Sequence, residues 1–312
     1  MPAGDEHRVI DVSICICTFR RPGALLRLLR SLARLDPASP SYEIIVVDND
    51  AERSGEPAIR EARAEGITLQ YLVEPQRGIA RARNRSVEPA QGAFVAFIDD
   101  DEEADPQWLM NLYAEVVGHG ATGGVGPVVP RFHDETPRWC IDGGFFERQR
   151  RPTGTVLVRT GLRTGNALVR RERLMELAGP FDERLALSGG EDTDLFMRLI
   201  ENGARIIAVD TAVVWEHLAP NRTTVSFLLR RRFLVGIGSA RVYAANDPDV
   251  RRNEQVLRWL TSGLAVGVTG LLLLPASRVR GLDRLSLAAR YLGRCAYYSG
   301  FSYHPYAHDS WR

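Results

Sequence analysis

Apolar runs alternate with amphipathic stretches through the first hundred residues of the chain. VIDVSICICTF, Val9 to Phe19, predicts a buried strand, and PGALLRLLRSLARL, Pro22 to Leu35, repeats leucine at helical spacing behind a proline suited to a first turn. YEIIVVDND, Tyr42 to Asp50, predicts a second strand that ends in polar residues, and a polar helix follows it. ITLQYLV (Ile67 to Val73), a helix from about Gly78 to Pro89 and AFVAFI (Ala93 to Ile98) continue the alternation. Repeated strand-helix-strand units predict an α/β fold: a Rossmann-like, mostly parallel sheet with helices on both faces.

After a helix near Trp108 to Val117 the regularity fades. GGVGPVVP, Gly123 to Pro130, is an apolar strand bounded by glycine and proline, and Arg131 to Thr155 is loop-like. TGNALVRRERLMELAGPFDERL returns to a strand and a short helix, GGEDTDLFMRLIENG is a helix opened by glycines, and RIIAVD is a further strand. From Val225 the chain is helical and basic. This gives a domain over 1–222, with a first half at about 9–105 and a second at about 106–222, and a C-terminal helical region over 223–312.

Composition narrows the partners. Forty Lys plus Arg against 39 Asp plus Glu leave a formal charge of +1, so no bulk field selects nucleic acid. Cys15, Cys17, Cys140 and Cys295 lack the paired spacing of a zinc site or disulfide framework and are expected to be reduced, as in a cytoplasmic compartment. The opening MPAGDEHRVI lacks the pattern of a secretory signal. Trp259 to Ala276 runs 18 residues without a charge, flanked by Arg258, Arg278 and Arg280 and weakened by three glycines and Pro275. A buried helix and a membrane-contacting one both fit it.

Three predicted strand ends carry polar clusters: Cys17-Thr18-Phe19-Arg20, Asp48-Asn49-Asp50 and Asp99-Asp100-Asp101. In open α/β sheets ligands gather at the carboxyl ends of strands, so these clusters point to one crevice. AFVAFIDDDEEAD places five carboxylates in succession behind an apolar strand. Adjacent carboxylates repel unless a cation offsets them, and oxygen-only ligands suit Mg²⁺ or Mn²⁺ completed by phosphate. Glu102, Glu103 and Asp105 are expected to be solvated acids opening the next helix. Glycines precede a second acidic group, Glu191-Asp192-Thr193-Asp194, and Arg77, Arg81, Arg83 and Arg85 surround a predicted helix start. Trp139, Phe145 and Phe146 could stack on a sugar ring, although loop aromatics more often pin the loop to a core.

CTFRRP, VVDNDA, RGIARARN, FIDDDE, TGNALVRR and GGEDTDLF fall in order over residues 9 to 235, and together they resemble the family 2 glycosyltransferases of the GT-A fold. TPRW and APNR before RRRF extend the likeness to bacterial glucosyltransferases of succinoglycan-type exopolysaccharide assembly. The resemblance implies a metal-dependent, inverting transfer of a hexose, glucose, from UDP-glucose to a polyprenyl-diphosphate-linked saccharide at the cytoplasmic membrane face. It implies nucleotide-sugar contacts from Cys17, Thr18, Arg20, Asp48, Asn49, Arg77, Arg83, Asn84, Asp99 and Asp100. It casts Asp101, with Asp99 and His217, as metal ligands, and Asp192, with Glu191 second, as the base. Trp139, Asn166, Glu216, Arg231 and Arg232 are the acceptor or phosphate candidates. A nucleotidyltransferase of sugar phosphates, the competing enzyme class, would want a glycine-rich loop after the first strand, where CTFRRPGALL holds one glycine; against a non-catalytic nucleotide-sugar binding protein stands the intact Glu191-Asp192 pair.

Overall fold

The computed structural model describes residues 10–187, 189–246 and 252–301. The elements in chain order are β1 (Val12–Thr18), α1 (Pro22–Leu32), β2 (Tyr42–Asp48), α2 (Glu56–Ala64), β3 (Gln70–Val73), α3 (Ile79–Val87), β4 (Phe94–Ile98), β5 (Glu102–Ala104), α4 (Trp108–Gly118), β6 (Gly123–Val125), β7 (Val128–Arg131), α5 (Arg138–Asp142), β8 (Asn166–Arg170), α6 (Arg171–Met175), α7 (Glu191–Glu201), β9 (Ile206–Ala208), β10 (Val214–His217), α8 (Val225–Asn246), α9 (Arg252–Leu273) and α10 (Arg278–Tyr298). Two compact units divide the chain. The first comprises the residues up to Val129 with Arg148–Glu216; the second comprises Pro130–Glu147 and the chain from His217.

The first unit is built on a seven-stranded sheet in the order β3-β2-β1-β4-β8-β6-β9. Strand alternation explains its two cores. Val12, Ile14 and Ile16 of β1, Ile44 and Val46 of β2, and Phe94, Ala96 and Ile98 of β4 face one cluster with α1, α2 and α4. The residues between them, Cys15, Ile45, Val95 and Phe97, face a second cluster with α3, α6 and α7. Strands buried on both faces read as the continuous apolar runs seen in the sequence.

The sheet is parallel from β3 to β4 and between β6 and β9, but β8 runs antiparallel to both neighbours. Strand order reverses at β1, which has β2 on one side and β4 on the other. The predicted strand Gly123 to Pro130 is two strands, β6 and β7, separated by Gly126-Pro127. The acidic run also differs from expectation. Asp101 is followed by β5, which pairs antiparallel with β10, and the turn into α4 comes only at Asp105, whose carboxylate accepts from Gln107 N at 2.9 Å.

The second unit contains α5 and the three long helices. Segment Pro130–Glu147 belongs with those helices, and the division falls after Glu216, ahead of the 222/223 position read from the sequence. Trp139, Phe145 and Phe146 are nearly inaccessible, at 7%, 5% and 1% exposure, and pack with Leu218, Leu228 and Leu282. They form a core and present no face to a sugar. The Arg278 guanidinium lies 5.7 Å from the Trp139 ring centroid, that of Arg231 lies 5.2 Å from the Phe146 ring, and Arg232 donates to Phe145 O at 3.2 Å. Trp139, Arg231 and Arg232 therefore hold this unit together, while His217 begins it at the end of β10.

Candidate functional site

The site of the first unit is assembled where β1, β2 and β4 end and β8 begins. Thr18 is in register with Asp48, and Ile98 with Asn166, so four chain segments meet at one end of the sheet. Thr18 Oγ1 donates to Asp100 Oδ2 at 2.8 Å, which fixes the acid run against the end of β1. Arg21, at the opening of α1, donates to Asp100 Oδ1 at 3.1 Å and to Asp101 Oδ2 at 3.0 Å. Arg20, the neighbour singled out from the sequence, turns the other way to Asp50 at 3.0 Å, with its backbone at φ +52°. The guanidinium groups of Arg20 and Arg77 lie 5.0 and 4.5 Å from the Phe19 ring centroid.

The carboxylates do not ionise independently. Burial pushes Asp100 up to about 6, with Arg21 opposing the rise and Asp101 adding to it. Asp99 is raised by burial and by Asp101, against the pull of Arg83. Glu102, expected to be solvated, is 2% exposed on β5. Its Oε2 accepts from Asp99 N at 3.0 Å, and burial with the neighbouring Asp99 charge holds its carboxyl well above the usual range. An acid read as a helix cap is thus a buried support for the turn that carries Asp99. Glu103, the next acid, lies 3.6 Å from Arg34.

Arg83 links the acid run to the second acidic motif. From α3 its guanidinium donates to Glu191 Oε1 and, at 3.3 Å, to Asp99 Oδ1, while being only 8% exposed. Burial works against its charge, and Glu191 and Asp99 outweigh that effect, so the guanidinium stays ionised. Burial pushes Glu191 up to about 7, against Arg83 and with Asp192. Glu191 Oε2 is buried without a hydrogen-bond partner. Asp192 is more accessible and its Oδ1 accepts from Thr193 N at 2.6 Å. Both acids sit in the first turn of α7, after Gly190 at φ +91°, a left-handed position that favours glycine. Of the adjacent acids, Glu191 is anchored inward and Asp192 is left to face outward.

Gly165 makes the approach of β8 feasible. A Cβ there would lie 2.9 Å from both Asp99 Oδ2 and Glu102 Oε1. Just before it, Arg163 donates to Gly126 O at 2.8 Å, and burial together with Arg148 lowers its guanidinium to about 10. Arg148 donates to Glu216 at 2.8 Å, which holds that acceptor candidate on β10. Arg21, Arg148, Arg163, Gly165 and Glu102 went unselected in the sequence reading. Three of them, Arg21, Gly165 and Glu102, lie inside the motifs CTFRRP, TGNALVRR and FIDDDE.

Several other candidates serve the framework. Asp48 is fully buried and accepts from Gly55 N at 2.6 Å and Tyr71 Oη at 2.9 Å. Asn49 donates to Glu74 O and Gln76 O and accepts from Gly78 N, so its amide locks the loop ahead of α3. Asn84 exchanges two hydrogen bonds with the Phe181 backbone, each at 2.9 Å. Burial pushes the Cys17 thiol up to about 12, and all four cysteines are free. Asn166 is 0% exposed: it accepts from Trp108 Nε1 at 2.8 Å and donates to Pro127 O and Ala212 O. It is a structural amide rather than an acceptor contact. Asn166→Ala should lower stability by about 1–3 kcal/mol in chemical denaturation, because three buried polar groups lose their partner.

Among the described residues no group of three His, Cys, Asp or Glu side chains forms a preformed metal cage. Crowded, oxygen-only carboxylates with raised pKa values nevertheless fit a cation bound by one or two acids and completed by substrate phosphate.

The profile of glycosyl transferase family 2 matches residues 13–177. The succinoglycan biosynthesis protein ExoM of Rhizobium meliloti (strain 1021) is 34% identical over 251 residues, 79% of each chain. Among solved structures, the mannosyltransferase PcManGT from Pyrobaculum calidifontis, in complex with GDP-Man and Mn²⁺, aligns with a TM-score of 0.62 at 18% identity, covering 92% of this chain and 88% of that one. S. aureus TarS 1–349 in complex with UDP aligns with a TM-score of 0.56 at 17% identity, covering 95% and 93%. These structures share the GT-A fold, in keeping with the sheet described above. The match over more than half the chain and the likeness to a relative at a third identity make this protein a member of glycosyl transferase family 2.

Proposed function

We propose that this glycosyltransferase moves a hexose, glucose, from a UDP-sugar to a hydroxyl of a saccharide carried on a polyprenyl diphosphate, with inversion, at the cytoplasmic face of the membrane. The product would enter exopolysaccharide or another cell-surface glycan, the process named for the Rhizobium relative. One observation carries the reading: the Arg83 guanidinium bonds both Asp99 of the acid run and Glu191 beside Asp192. A group able to bind a diphosphate through an ion and a group able to take a proton are thereby tied to a single cation.

Asp192 is the general base. A sugar hydroxyl is a weak nucleophile at neutral pH, so a carboxylate must accept its proton as the new bond to the anomeric carbon forms and the bond to the β-phosphate oxygen breaks. Glu191, anchored by Arg83, positions Asp192 and does not reach the hydroxyl. Asp101, with Asp99, would hold Mg²⁺ or Mn²⁺, which when bound offsets the negative charge growing on the departing UDP. Arg21 steadies Asp100 and Asp101 by donating to both carboxylates. Carboxylates around the sugar also favour an oxocarbenium-like transition state.

A thermal-shift and hydrolysis screen across UDP-, GDP- and dTDP-sugars, each with Mg²⁺ or Mn²⁺, tests the donor. UDP-glucose should give the largest metal-dependent shift and measurable UDP release. A shift with GDP-sugars alone would overturn the uridine assignment.

A further inference from the structure

Helix α9 carries an apolar surface that the fold does not cover. Leu257, Leu260, Leu264, Val268, Leu271 and Leu272 recur at three- and four-residue intervals and form one stripe along the helix. All six are exposed, Leu264 at 71% and Leu272 at 75%. Scattered surface leucines need no explanation, but a continuous stripe over more than four turns does.

The opposite face of α9 is committed to α10. Trp259 meets Tyr298 at a 5.6 Å ring separation, and a Cβ on Gly263 would lie 3.1 Å from Tyr291 Cβ. A Cβ on Gly267 would lie 3.5 Å from Ala288, and one on Gly270 would lie 3.0 Å from Gly281 O. Partners fall in number as α9 rises, so the two helices are antiparallel neighbours along most of their length.

That pairing bears on how the stripe can be used. Over Glu254–Leu273, helix α9 is long and apolar enough, by length and composition, to cross a membrane. Its partner is not: α10 carries Arg278, Arg280, Asp283, Arg284, Arg290 and Arg294. Driving α9 through hydrocarbon would take these charges with it or break the glycine-mediated packing. Lying in the plane of the interface requires neither. The exposed charges flanking the stripe suit an anionic surface: Arg258 stands at its N-terminal end and Arg278, Arg280 and Arg284 follow its C-terminal end, against Glu254 and Asp283.

We infer that the exposed stripe of α9 is a docking surface for an anionic lipid bilayer, on which the helix lies flat with its leucines among the acyl chains and the flanking arginines at the headgroups. The usefulness of this surface rests on the lipid-linked acceptor reading above, whereas the docking itself does not depend on catalysis.

The full chain should sediment with vesicles of phosphatidylcholine and phosphatidylglycerol and bind vesicles of phosphatidylcholine alone far more weakly. The exposed pair L264S/L271S should weaken vesicle binding at least about tenfold while leaving UDP-glucose hydrolysis unchanged. R280E/R284E should remove the preference for phosphatidylglycerol. Absence of vesicle binding by the parent, or equal binding by L264S/L271S, would overturn the inference. So would a dimer that L264S/L271S converts to monomer without vesicle binding, since a second copy would then cover the stripe. Resistance of membrane-bound protein to alkaline carbonate extraction would overturn in-plane docking in favour of a span. Vesicle binding without UDP-glucose hydrolysis would leave the docking intact and count against the enzymatic reading instead.

Discussion

Replacing Arg83 with Met is expected to destabilise the protein by about 3–5 kcal/mol, a large share of a typical domain's stability. Met fills the apolar part of the arginine's volume, so the loss comes from the charges left behind. Glu191 is 3% exposed and already has one oxygen without a partner; removing the guanidinium takes away the other oxygen's donor as well. Asp99 loses its contact in the same step. The deficit should depend on pH in one direction. Without Arg83, the folded-state pKa of Glu191 moves further above the ordinary value of 4.5, from the value of about 7 it holds beside the arginine. A carboxyl raised in the folded state contributes stability that is fully present below the unfolded pKa and is lost as pH rises through the folded one. Urea denaturation should therefore show R83M tracking the parent up to about pH 7, where Glu191 ionises beside the arginine, and falling behind it above that pH. R83M/E191Q should recover part of the loss, since the neutral amide leaves no buried charge, and the double-mutant cycle measures the coupling. A loss below about 1 kcal/mol for R83M in mildly alkaline buffer, above the Glu191 pKa of about 7, would show the pair to be unimportant to the fold.

The second large effect is on turnover. Asp192→Asn should lower transfer by about 10²–10⁴-fold, the usual contribution of a positioned base, with UDP binding little changed. The substitution is clean because Asn keeps a carbonyl oxygen for the Thr193 N–H that Asp192 now accepts, so the opening turn of α7 is preserved. What disappears is the basicity of the one acid in this pair that Arg83 does not hold. UDP release in the presence of acceptor, measured beside calorimetric UDP binding, separates the two effects. Near-normal transfer would remove Asp192 from the role and turn attention to another carboxylate.

Local pattern was enough to find β1 to β4 and the helices between them because β1, β2 and β4 are largely buried on both faces and the helices are amphipathic; it did not reveal β5. The parallel sheet followed from connectivity. The reversal of β8 did not, because a five-residue apolar strand carries no mark of its direction in its own residues. Motif positions were legible, while the assignment within a motif was not. Arg20 and Arg21 are adjacent and identical, yet their side chains go to different carboxylates, the first from a backbone at φ +52°. Glu102 looked like part of a charged run because burial of an acid is costly and rarely assumed; its pairing through β5 with β10, more than a hundred residues away, is what takes it inside. Asn166 and Asn49 have side chains fit for ligand contact, but their amides satisfy backbone groups brought together by distant segments. Trp139 and its aromatic neighbours were ambiguous until the long helices closed over them.

The reversed strand has a consequence for how this enzyme can diverge. Because β8 enters the sheet at the end where β4 leaves it, the segment before it reaches the carboxylates without any helical crossover. That segment, residues 148–165, is moored at intervals, by Arg150 to Asp210 and by the bridge between Val156 and Ile207, and is otherwise irregular. Insertions between such moorings cost little loop entropy, provided Leu157 and Leu162 keep their places in the second cluster. Sequence change can accumulate there around Arg148 and Arg163, while the strand ends that bear Thr18 and Asp99 to Asp101 stay as they are.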